Sequence, residues 1–435
     1  MSDVTVIILA AGRGKRMHSE TAKVMHPIFG KPILDYSLQA IESLKPCEVI
    51  VVAGHQSARI EEYLQGRVEG KASGIVPRVV LQKKLLGTAD GVQTALAAVK
   101  NLSGRILVLT GDAPLVLPET LEKLLWLGQE EKAACAVLTA VQKDPTGYGR
   151  VVRNGRGGVV KIVEEDEADP FEKAIEEINS GIYVFNALDL AACLKEVSES
   201  KSSGEFYLTE VVALLNKRGK RVVAAEARDP DEVLGINTRQ DLARAFQILN
   251  RRSLRKLMDS GVTVVDPATT FVSPDARVGT DTVIEPMSFI ESDVRIGKGC
   301  RIGPFARVRS GSVLEDDVEV GNFIEVNRSM LGRGTKAKHQ AYLGDAILGS
   351  NVNVGCGTIT ANYDGKGKFQ SVIGEEAFLG TGTILVAPVK VGKRAITGAG
   401  AVVTKGKDVP AGSVVVGVPA RLLRKEKARR SRARG

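Results

Sequence analysis

Two short runs carry residue types suited to binding phosphate and a divalent cation. Residues 10–17 (AAGRGKRM) follow an apolar segment; glycines there let backbone N–H groups approach phosphate oxygens, and Lys15 and Arg16 neutralise charge. Asp112 follows a second apolar segment. A carboxylate there is a natural Mg²⁺ ligand, because Mg²⁺ on a nucleotide takes one or two protein oxygens. Taken singly, each run also fits a strand-to-helix turn or a helix cap.

His339 is a third residue that could do chemistry. It is one of four histidines and lies in an interrupted part of the repeat described below, where side chains can face a cleft. Imidazole titrates near neutral pH and can therefore take a proton from a reacting group. The alternative for a single histidine is a surface or structural role.

Short apolar strands are predicted to position the first two candidates. Residues 4–9 (VTVIIL) and 105–109 (RILVL) are continuous apolar runs. In an open α/β sheet, ligands bind beyond the carboxyl ends of the strands. We therefore expect Asp112 and the glycine run to face one crevice.

A six-residue repeat dominates the carboxyl-terminal part of the chain. With 43% of the chain apolar, an unbroken register of ten aliphatic residues would arise by chance at about 10⁻⁴. The period predicts a triangular parallel β-helix with three hexads per coil, and glycines beside the inward positions are expected to turn the corners. The ten positions are Val272, Val278, Ile284, Ile290, Ile296, Ile302, Val308, Leu314, Val320 and Val326.

The register breaks after Val326 and returns at Ile373. Leucine-glycine and valine-glycine pairs between them indicate that coils continue in a shifted phase, with an insertion at residues 361–369 (ANYDGKGKF). Insertions in a solenoid emerge from one face and often carry binding residues. A plain spacer or oligomerisation post is the alternative for the repeat alone.

Composition narrows the class of protein. A chain of 435 residues is too long for one core and indicates two or three domains. The sequence has no apolar run long enough to cross a bilayer and no basic segment before its hydrophobic start, which argues against a membrane span and a signal peptide. Five dispersed cysteines without CxxC spacing favour reduced thiols, no zinc site and a cytoplasmic location.

The positive charge is concentrated at the carboxyl end. Residues 421–435 hold eight Lys/Arg and one Glu, which account for +7 of the net +9. The remaining chain is nearly neutral, so a nucleic-acid-binding body is not indicated. The tail is expected to be a solvated end, with steering of an anionic cofactor or loose RNA binding as the alternative.

Eight ordered motifs resemble the sugar-1-phosphate uridylyltransferase domain of the bifunctional enzymes that acetylate glucosamine 1-phosphate and then make UDP-N-acetylglucosamine. That family also ends in a left-handed β-helix, so the resemblance covers essentially the whole chain. The motifs are LAAGxGxRM at residues 9–17, AKV at 22–24, LQ at 81–82 with LGT at 86–88, GDAPL at 111–115, TGYGR at 146–150, IVE at 162–164, EINSG at 177–181 and GIN at 235–237.

The resemblance implies the roles of the amino-terminal residues. Arg16 and Lys23 are expected to grip the triphosphate of UTP as catalytic cations, and Asp112 with Asn237 to bind Mg²⁺. N-acetylglucosamine 1-phosphate would attack the α-phosphorus in line and release pyrophosphate, with no covalent intermediate. The residues that bind uridine would be Ala10, Gly12, Gln82, Gly87 and Thr88. The residues that bind the sugar would be Gly149, Glu164, Asn179 and Asn237, the last of which is also a metal ligand.

The resemblance also places a second site on the β-helix. His339 would be the base that takes the ammonium proton of glucosamine 1-phosphate during transfer from acetyl-CoA. Thr381 and Ala399 would contact acetyl-CoA, and the sites would lie between the subunits of a homotrimer. The residues for the phosphate, amino sugar and acetyl group would be Arg309, Tyr342, Asn353, Asn362, Tyr363 and Lys368.

Departures from the family pattern keep two alternatives open. Asn327 stands where the family has a phosphate-binding Lys, Gly417 where it has a cofactor-binding Arg, and the coils before Gly303 look fewer than usual. The second hypothesis is therefore a uridylyltransferase whose β-helix is only a trimerisation module. A third, a non-catalytic regulatory subunit, is disfavoured because Lys23 and the other phosphate and metal residues remain.

We thus predict an α/β protein with a Rossmann-like nucleotidyltransferase domain followed by a left-handed parallel β-helix of hexapeptide repeats. The predicted boundaries are 1–236 for the first domain, 237–262 for a linker helix with apolar residues at helical spacing, 263–420 for the acetyltransferase domain and 421–435 for the basic tail. Nucleic acid and membrane partners are not expected.

Overall fold

The computed structural model describes residues 3–69 and 76–423, with only the backbone at residues 68 and 69. It divides into two compact units, Met1–Ile248 and Leu249–Gly435. The domain boundaries inferred from the sequence stay predictions, and most of the basic tail, residues 424–435, lies outside the described residues. Within the described ranges, no helix has the length and apolar character that crossing a membrane requires.

The first unit is an α/β fold. Its strands are β1 (Val4–Ala10), β2 (Pro27–Ile28), β3 (Lys31–Pro32), β4 (Glu48–Ala53), β5 (Arg78–Leu81), β6 (Arg105–Thr110), β7 (Cys135–Val141), β8 (Arg150–Arg153), β9 (Val159–Val163), β10 (Glu177–Asn186) and β11 (Val222–Glu226). Its helices are α1 (Ile33–Ala40), α2 (Ser57–Glu69), α3 (Thr88–Leu96), α4 (Pro118–Glu130), α5 (Pro170–Lys173), α6 (Ala187–Leu194) and α7 (Glu210–Lys217); α8 (Arg239–Asp259) contains the division between the units.

The central sheet runs in the order β11-β7-β10-β6-β1-β4-β5. The predicted strands β1 and β6 lie side by side and parallel, with Leu9 opposite Thr110. Their central residues are apolar because both faces of the sheet are covered, and Ile7 and Ile8 on opposite faces are both fully buried. The chain segments that follow the two strands therefore leave the sheet at the same edge, as predicted.

The second unit is a β-helix. Its strands are β12 (Thr263–Val264), β13 (Phe271–Val272), β14 (Arg277–Val278), β15 (Val283–Ile284), β16 (Phe289–Ile290), β17 (Arg295–Ile296), β18 (Arg301–Ile302), β19 (Arg307–Val308), β20 (Val313–Leu314), β21 (Glu319–Asn327), β22 (Met330–Leu331), β23 (Lys336–Gly344), β24 (Ala346–Leu348), β25 (Asn353–Val354), β26 (Ile359–Ala361), β27 (Ser371–Ile373), β28 (Phe378–Leu379), β29 (Ile384–Val386), β30 (Val389–Val391), β31 (Ile396–Thr397), β32 (Val402–Val403), β33 (Val414–Val416) and β34 (Arg421–Leu422).

Each regular coil takes three hexads. Phe271 pairs in parallel with Phe289, and Arg277 with Arg295, so that each residue lies beside the one three hexads later. Of the ten positions in the predicted register, nine are at most 4% exposed and only Val278 is half-buried. The aliphatic hexad therefore forms the core, as the sequence predicts.

The phase shift after Val326 has a simple geometric cause. Val320 pairs with Ala337 and Leu314 with Leu331, one residue fewer than three full hexads in both cases, so the corner after Val326 is one residue short. Further along, the coil that pairs Val354 with Leu379 is longer than a regular coil, because seven extra residues emerge between β26 and β27. The predicted shift and insertion are both present.

The corners are turned by different residues than the sequence suggested. Left-handed backbone occurs three residues after most inward positions, not at the adjacent glycines, except at Gly303 (φ 101°). Only two of these left-handed positions are glycines, and the others are aspartate or larger residues. The positions are Asp281, Met287, Asp293, Gly299, Phe305, Gly311, Asp317 and Phe323. The adjacent glycines instead allow the next coil to approach closely, since a Cβ on Gly321 would lie 2.0 Å from the Lys338 carbonyl oxygen.

The close approach at Gly321 yields a stability prediction. Gly321→Ala is expected to lower the free energy of unfolding by about 1–3 kcal/mol, because the methyl group would force two coils apart. Chemical denaturation followed by circular dichroism measures this change. Gly367→Ala is the control, since its Cβ would meet nothing nearer than 3.5 Å; equal effects of the two substitutions would contradict the explanation.

Candidate functional sites

A pocket at the carboxyl edge of the first unit's sheet gathers most of the predicted nucleotide residues. Gly12 lies on the loop after β1, and Thr88 begins α3. The predicted residues that line it are Ala10, Gly12, Lys23, Gln82, Gly87, Thr88 and Asp112; Leu9, Ala11, Val24, Leu85, Gly91, Thr110 and Glu205 complete the wall. Residues far apart in the sequence thus converge on one cleft.

Lys23 lies between the two predicted metal ligands. Its Nζ donates to Asp112 Oδ2 and to Asn237 Oδ1, the latter at 3.2 Å. The backbone N–H of Ile236 donates to the Asp112 carbonyl at 2.9 Å, which holds the two chain segments together. A carboxylate and an amide oxygen that already share one cation are suited to Mg²⁺.

The metal would need further oxygen ligands from a nucleotide. Among the described residues, no group of three or more His, Cys, Asp or Glu side chains could hold a metal ion. Two protein oxygens, completed by phosphate oxygens and water, match the way that Mg²⁺ binds with nucleotides. The donor set therefore fits the ion, provided that the substrate brings its phosphates.

The glycine run packs against the segment that carries Lys23. Gly14 adopts left-handed backbone (φ 63°), and a Cβ there would lie 2.7 Å from Lys23 Cβ. Only glycine fits both conditions without displacing the lysine. Arg16 follows on the 3-10 turn Lys15–Met17 and is exposed, outside the pocket lining, so the structure does not bring it to Asp112.

Three of the four predicted sugar residues, Gly149, Glu164 and Asn179, lie together, whereas Asn237 lies at Lys23. The N–H of Asn179 donates to the Gly149 carbonyl at 2.8 Å, and a Cβ on Gly149 would lie 3.3 Å from Glu164 Oε2. Thr209 donates its hydroxyl to Glu164 Oε1 at 2.9 Å. Burial raises the pKa of Glu164. The carboxyl group is thus a fixed, half-desolvated hydrogen-bonding group beside a glycine that leaves room for a ligand.

A buried arginine supports the loop that carries Gly149. Arg150 is 2% exposed; it pairs with Glu165 at 2.8 Å and donates to the Tyr148 carbonyl. Glu165 also accepts the N–H of Gly147 at 3.1 Å. The loop is therefore tied at both ends, which fixes the position of Gly149.

On the β-helix, the predicted base and cofactor residues form one column. Along one edge of the β-helix, the residue two positions after the inward-facing residue of each coil forms a column, which we call the His339 column. Its members are Asn322, His339, Cys356, Thr381 and Ala399. Asn322 pairs with His339. Gly382 N–H donates to the Cys356 carbonyl, and Gly400 N–H to that of Thr381, both at 2.7 Å. His339 is exposed on β23.

Gly417 continues the His339 column. Thr397 pairs with Val415, so Gly417 follows Ala399 by one coil. It has left-handed backbone (φ 88°), which explains a glycine there. Arg421 on the antiparallel β34 lies opposite the neighbouring Val416. A cation is therefore available next to the position where the family pattern has an arginine.

A second edge carries a hydrogen-bonded group that we call the Asp345 cluster: Asn327, Arg328, Tyr342, Asp345 and Asn362. Arg328 donates through Nε and Nη2 to Asp345 at 2.7 and 2.8 Å, and Asn362 Nδ2 donates to the same carboxylate. These bonds, Arg328 foremost, lower the pKa of Asp345. The cluster occupies the shortened corners and the start of the insertion, where the regular coil is interrupted.

Within the cluster, Asn327 connects Arg328 to Tyr342. It is 5% exposed; its Nδ2 lies 3.4 Å from the Tyr342 hydroxyl, and its Oδ1 accepts from Arg328 Nη1 at 3.1 Å. A guanidinium group therefore lies directly beside Asn327. Arg309 lies one coil earlier and donates to Glu325 at 2.8 Å; its buried Nε makes no hydrogen bond but lies 3.8 Å from a Glu291 carboxylate oxygen.

The insertion brings the remaining predicted residues near the cluster. Tyr363 pairs with Lys368 across a short hairpin, and the charge of Lys368 contributes to the lowered pKa of Asp345. Lys405 lies 4.4 Å over the Phe369 ring and holds the hairpin. Asn353 is apart from this group, on β25 beside Lys336.

Sequence reasoning missed several residues of these sites. Glu205 lines the nucleotide pocket and Thr209 contacts Glu164, but their chain segment contains none of the eight motifs, and no signal in the sequence marks either residue. Asp345 is not among the predicted residues of the second site; the position of its carboxylate between an arginine and an asparagine is visible only in three dimensions. Leu85, Gly91 and Thr110 lie beside residues that were predicted.

Comparison with known proteins gives consistent results for both units. The MobA-like NTP transferase domain family matches residues 6–168, and the bacterial transferase hexapeptide family (six repeats) matches residues 275–310. A UDP-glucose pyrophosphorylase structure complexed with UDP-glucose aligns with 58% of this chain and 100% of its own, at 19% identity and a TM-score of 0.49, too distant to add to the sequence relatives.

Full-length relatives are closer. "Bifunctional protein GlmU" of Pelotomaculum thermopropionicum is 43% identical over 89% of this chain and 90% of its own. The proteins of the same name from an Exiguobacterium strain and from Geobacillus thermodenitrificans are 41% and 40% identical, covering 93% and 97% of this chain and 94% and 96% of their own. The similarity therefore extends over both units.

Proposed function

The chain belongs to the family of the bifunctional protein GlmU, and we propose that it makes UDP-N-acetylglucosamine by two transfers at two separate sites. The second unit acetylates glucosamine 1-phosphate with acetyl-CoA. The first unit then transfers UMP from UTP to N-acetylglucosamine 1-phosphate and releases pyrophosphate. The observation that carries the proposal is the convergence of Lys23, Asp112 and Asn237 at a pocket beyond the ends of β1 and β6.

Uridylyl transfer needs positioning and charge neutralisation rather than a nucleophile from the protein. A phosphate oxygen of N-acetylglucosamine 1-phosphate forms a bond to the α-phosphorus of UTP, and the bond to pyrophosphate breaks. Lys23 neutralises charge on the triphosphate, and we assign the leaving phosphates to Arg16, which is exposed on its turn outside the pocket lining. Gly149, Glu164 and Asn179 orient the sugar so that attack is in line.

Asp112 and Asn237 would hold Mg²⁺ in the nucleotide complex. When bound, the ion stabilises negative charge on the phosphate oxygens. The Lys23 ammonium group would then move from between the Asp112 and Asn237 oxygens to the phosphate oxygens of the nucleotide. Electrostatic attraction by several phosphate oxygens favours that movement.

The second unit carries out acetyl transfer. His339 takes the ammonium proton of glucosamine 1-phosphate, the free amine attacks the acetyl carbonyl carbon, the carbon–sulfur bond breaks, and coenzyme A leaves as its thiol after receiving a proton. Thr381 and Ala399 lie in the same column as His339 and are suited to the cofactor. Tyr342, Asn353, Asn362, Tyr363 and Lys368 serve the amino sugar, and Arg309 its phosphate.

Arg328 supplies the phosphate cation that Asn327 does not. We expect Arg328→Ala to raise KM for glucosamine 1-phosphate by about 10–100-fold, the equivalent of one charge-assisted hydrogen bond, with a smaller effect on the KM for acetyl-CoA. Steady-state thiol release measures both constants. Arg333→Ala is the control, because Arg333 pairs with Asp317 at 3.0 Å elsewhere on the β-helix.

A rescue variant sharpens that test. Adding Asn327→Lys to Arg328→Ala restores a cation at the neighbouring position and should recover most of the lost affinity. If Arg328→Ala leaves KM unchanged, the cation assignment is wrong; if Lys at position 327 fails to rescue, the charge is not what the site lost.

We further propose that the active form is a homotrimer with acetyl-transfer sites between subunits, and that the protein works in the cytoplasm to supply cell-envelope synthesis. Analytical ultracentrifugation tests the trimer. Two assays on purified protein test the reactions: pyrophosphate release from UTP, Mg²⁺ and N-acetylglucosamine 1-phosphate, and thiol release from acetyl-CoA and glucosamine 1-phosphate. Activity in the first alone would reduce the β-helix to a trimerisation module.

A further inference from the structure

The side-chain amide of Gln82 is held in one orientation at the wall of the nucleotide pocket. Its Nε2 donates to Asp90 Oδ2 at 2.7 Å and to the Gly87 carbonyl at 3.0 Å. Gln82 is 6% exposed, and its backbone N–H is fixed to the Ala53 carbonyl at 2.8 Å. Both hydrogens of the amide are therefore used inside the protein.

The chemistry of the partner decides which end of the amide faces Asp90. A carboxylate only accepts hydrogen bonds, and a carbonyl oxygen likewise only accepts. Asp90 and the Gly87 carbonyl therefore both require the NH₂ end of Gln82, and the flipped amide would place oxygen against oxygen. The Gln82 Oε1 acceptor is what remains for a ligand.

The surroundings leave this arrangement little freedom. A Cβ on Gly87 would lie 2.5 Å from the Phe206 carbonyl oxygen, and the N–H of Ala89 donates to that same oxygen at 2.9 Å. Thr88 Oγ1 accepts the N–H of Leu208 at 2.9 Å. The start of α3, which carries Asp90, is thus bound to a second chain segment and keeps the carboxylate in place.

We propose that Asp90, together with the Gly87 carbonyl, sets the base specificity of the site: by holding Gln82 with its oxygen toward the ligand, the two acceptors select a base that presents a ring N–H. This inference rests on the proposed uridylyl transfer. Uracil has such a donor at N3, whereas cytosine has a lone pair there and would face Oε1 with a second acceptor. An unpaired acceptor pair in a desolvated pocket is strongly unfavourable.

Asp90→Asn tests the lock because an asparagine amide can present either its oxygen or its NH₂ group to Gln82. The Gln82 amide is then held by one obligatory acceptor, the Gly87 carbonyl, instead of two, so its flipped form, which offers a donor to cytosine, becomes less unfavourable. We expect the ratio of kcat/KM for UTP to that for CTP to fall at least tenfold, mainly through better use of CTP, while kcat with UTP changes less than threefold. Titration calorimetry with UTP and with CTP measures the same ratio without turnover.

The control is Asp189→Asn, since Asp189 lies in the first turn of α6 as Asp90 does in that of α3, but its carboxylate pairs with Lys220 at 2.9 Å and not with Gln82. It should keep the wild-type ratio. An Asp90→Asn protein that loses activity equally with both nucleotides, or keeps the ratio, would overturn the specificity role. A wild-type protein that neither binds nor turns over UTP would overturn the proposed function itself.

Discussion

Asp112→Asn is expected to reduce uridylyl transfer by about 10²–10³-fold while leaving acetyl transfer within a factor of two. The amide keeps the shape and one oxygen of the side chain but removes the negative charge that Lys23 and the divalent ion share. Pyrophosphate release at increasing Mg²⁺ concentration measures both the loss of rate and the rise in the metal concentration needed for half activity.

Two comparisons make the Asp112 result specific. Asp169→Asn removes a carboxylate that caps the short exposed helix α5 and should leave uridylyl transfer unchanged. The thiol-release assay on the same Asp112→Asn preparation reports whether the second unit is folded. A variant with normal pyrophosphate release and normal Mg²⁺ dependence would remove Asp112 from the reaction.

The fold followed from the sequence because its two parts have regular periods. An aliphatic residue every six positions can be buried together only if the chain returns to the same place after every third hexad, and Phe271 opposite Phe289 meets that condition. Apolar runs such as residues 4–9 need cover on both faces, which a central strand provides. The corners were less predictable, since left-handed backbone at Phe305 and Phe323 contradicts ordinary preferences.

The candidate sites divide in the same way. Residues that lie directly after strands, such as Asp112, could be placed because strand ends determine their position. Residues that act through a neighbour could not: Asp345 has meaning only beside Arg328 and Asn362, and Asp90 only beside Gln82. Arg328, Asp345 and Asn362 follow one another at 17 residues, one shortened coil, and this spacing can be recognised only once the register of the coils is known. Asp90 lies eight residues after Gln82, on a different element, and no motif marks that pair.

The Asp345 cluster also changes the interpretation of Asn327. In the sequence alone, a neutral asparagine at a position where the family pattern has a phosphate-binding lysine suggests that acetyl transfer has been lost. In the structure, the same corner is one residue short, and the adjacent Arg328 has left-handed backbone (φ 49°) with its guanidinium bonded to Asn327 and Asp345. The charge has moved by one position along a tight turn, which supports an acetyltransferase rather than a spacer.

His339→Ala is expected to lower kcat for acetyl transfer by about 10²–10⁴-fold, with little change in KM for acetyl-CoA and no change in uridylyl transfer. The side chain is exposed and its neighbours in the column are held by backbone hydrogen bonds, so its removal should not disturb the coil. Thiol release from acetyl-CoA as a function of pH measures the loss.

The pH profile separates a proton-transfer role from a structural one. With wild-type protein, the profile of kcat should contain a limb that rises with pH, because only a neutral base can accept the ammonium proton. In His339→Ala that limb disappears, and the residual rate should increase with added imidazole, which replaces the missing base. A variant that retains the limb would assign the proton transfer to another group on the same edge, and a variant that loses thermal stability along with activity would assign a structural role to His339.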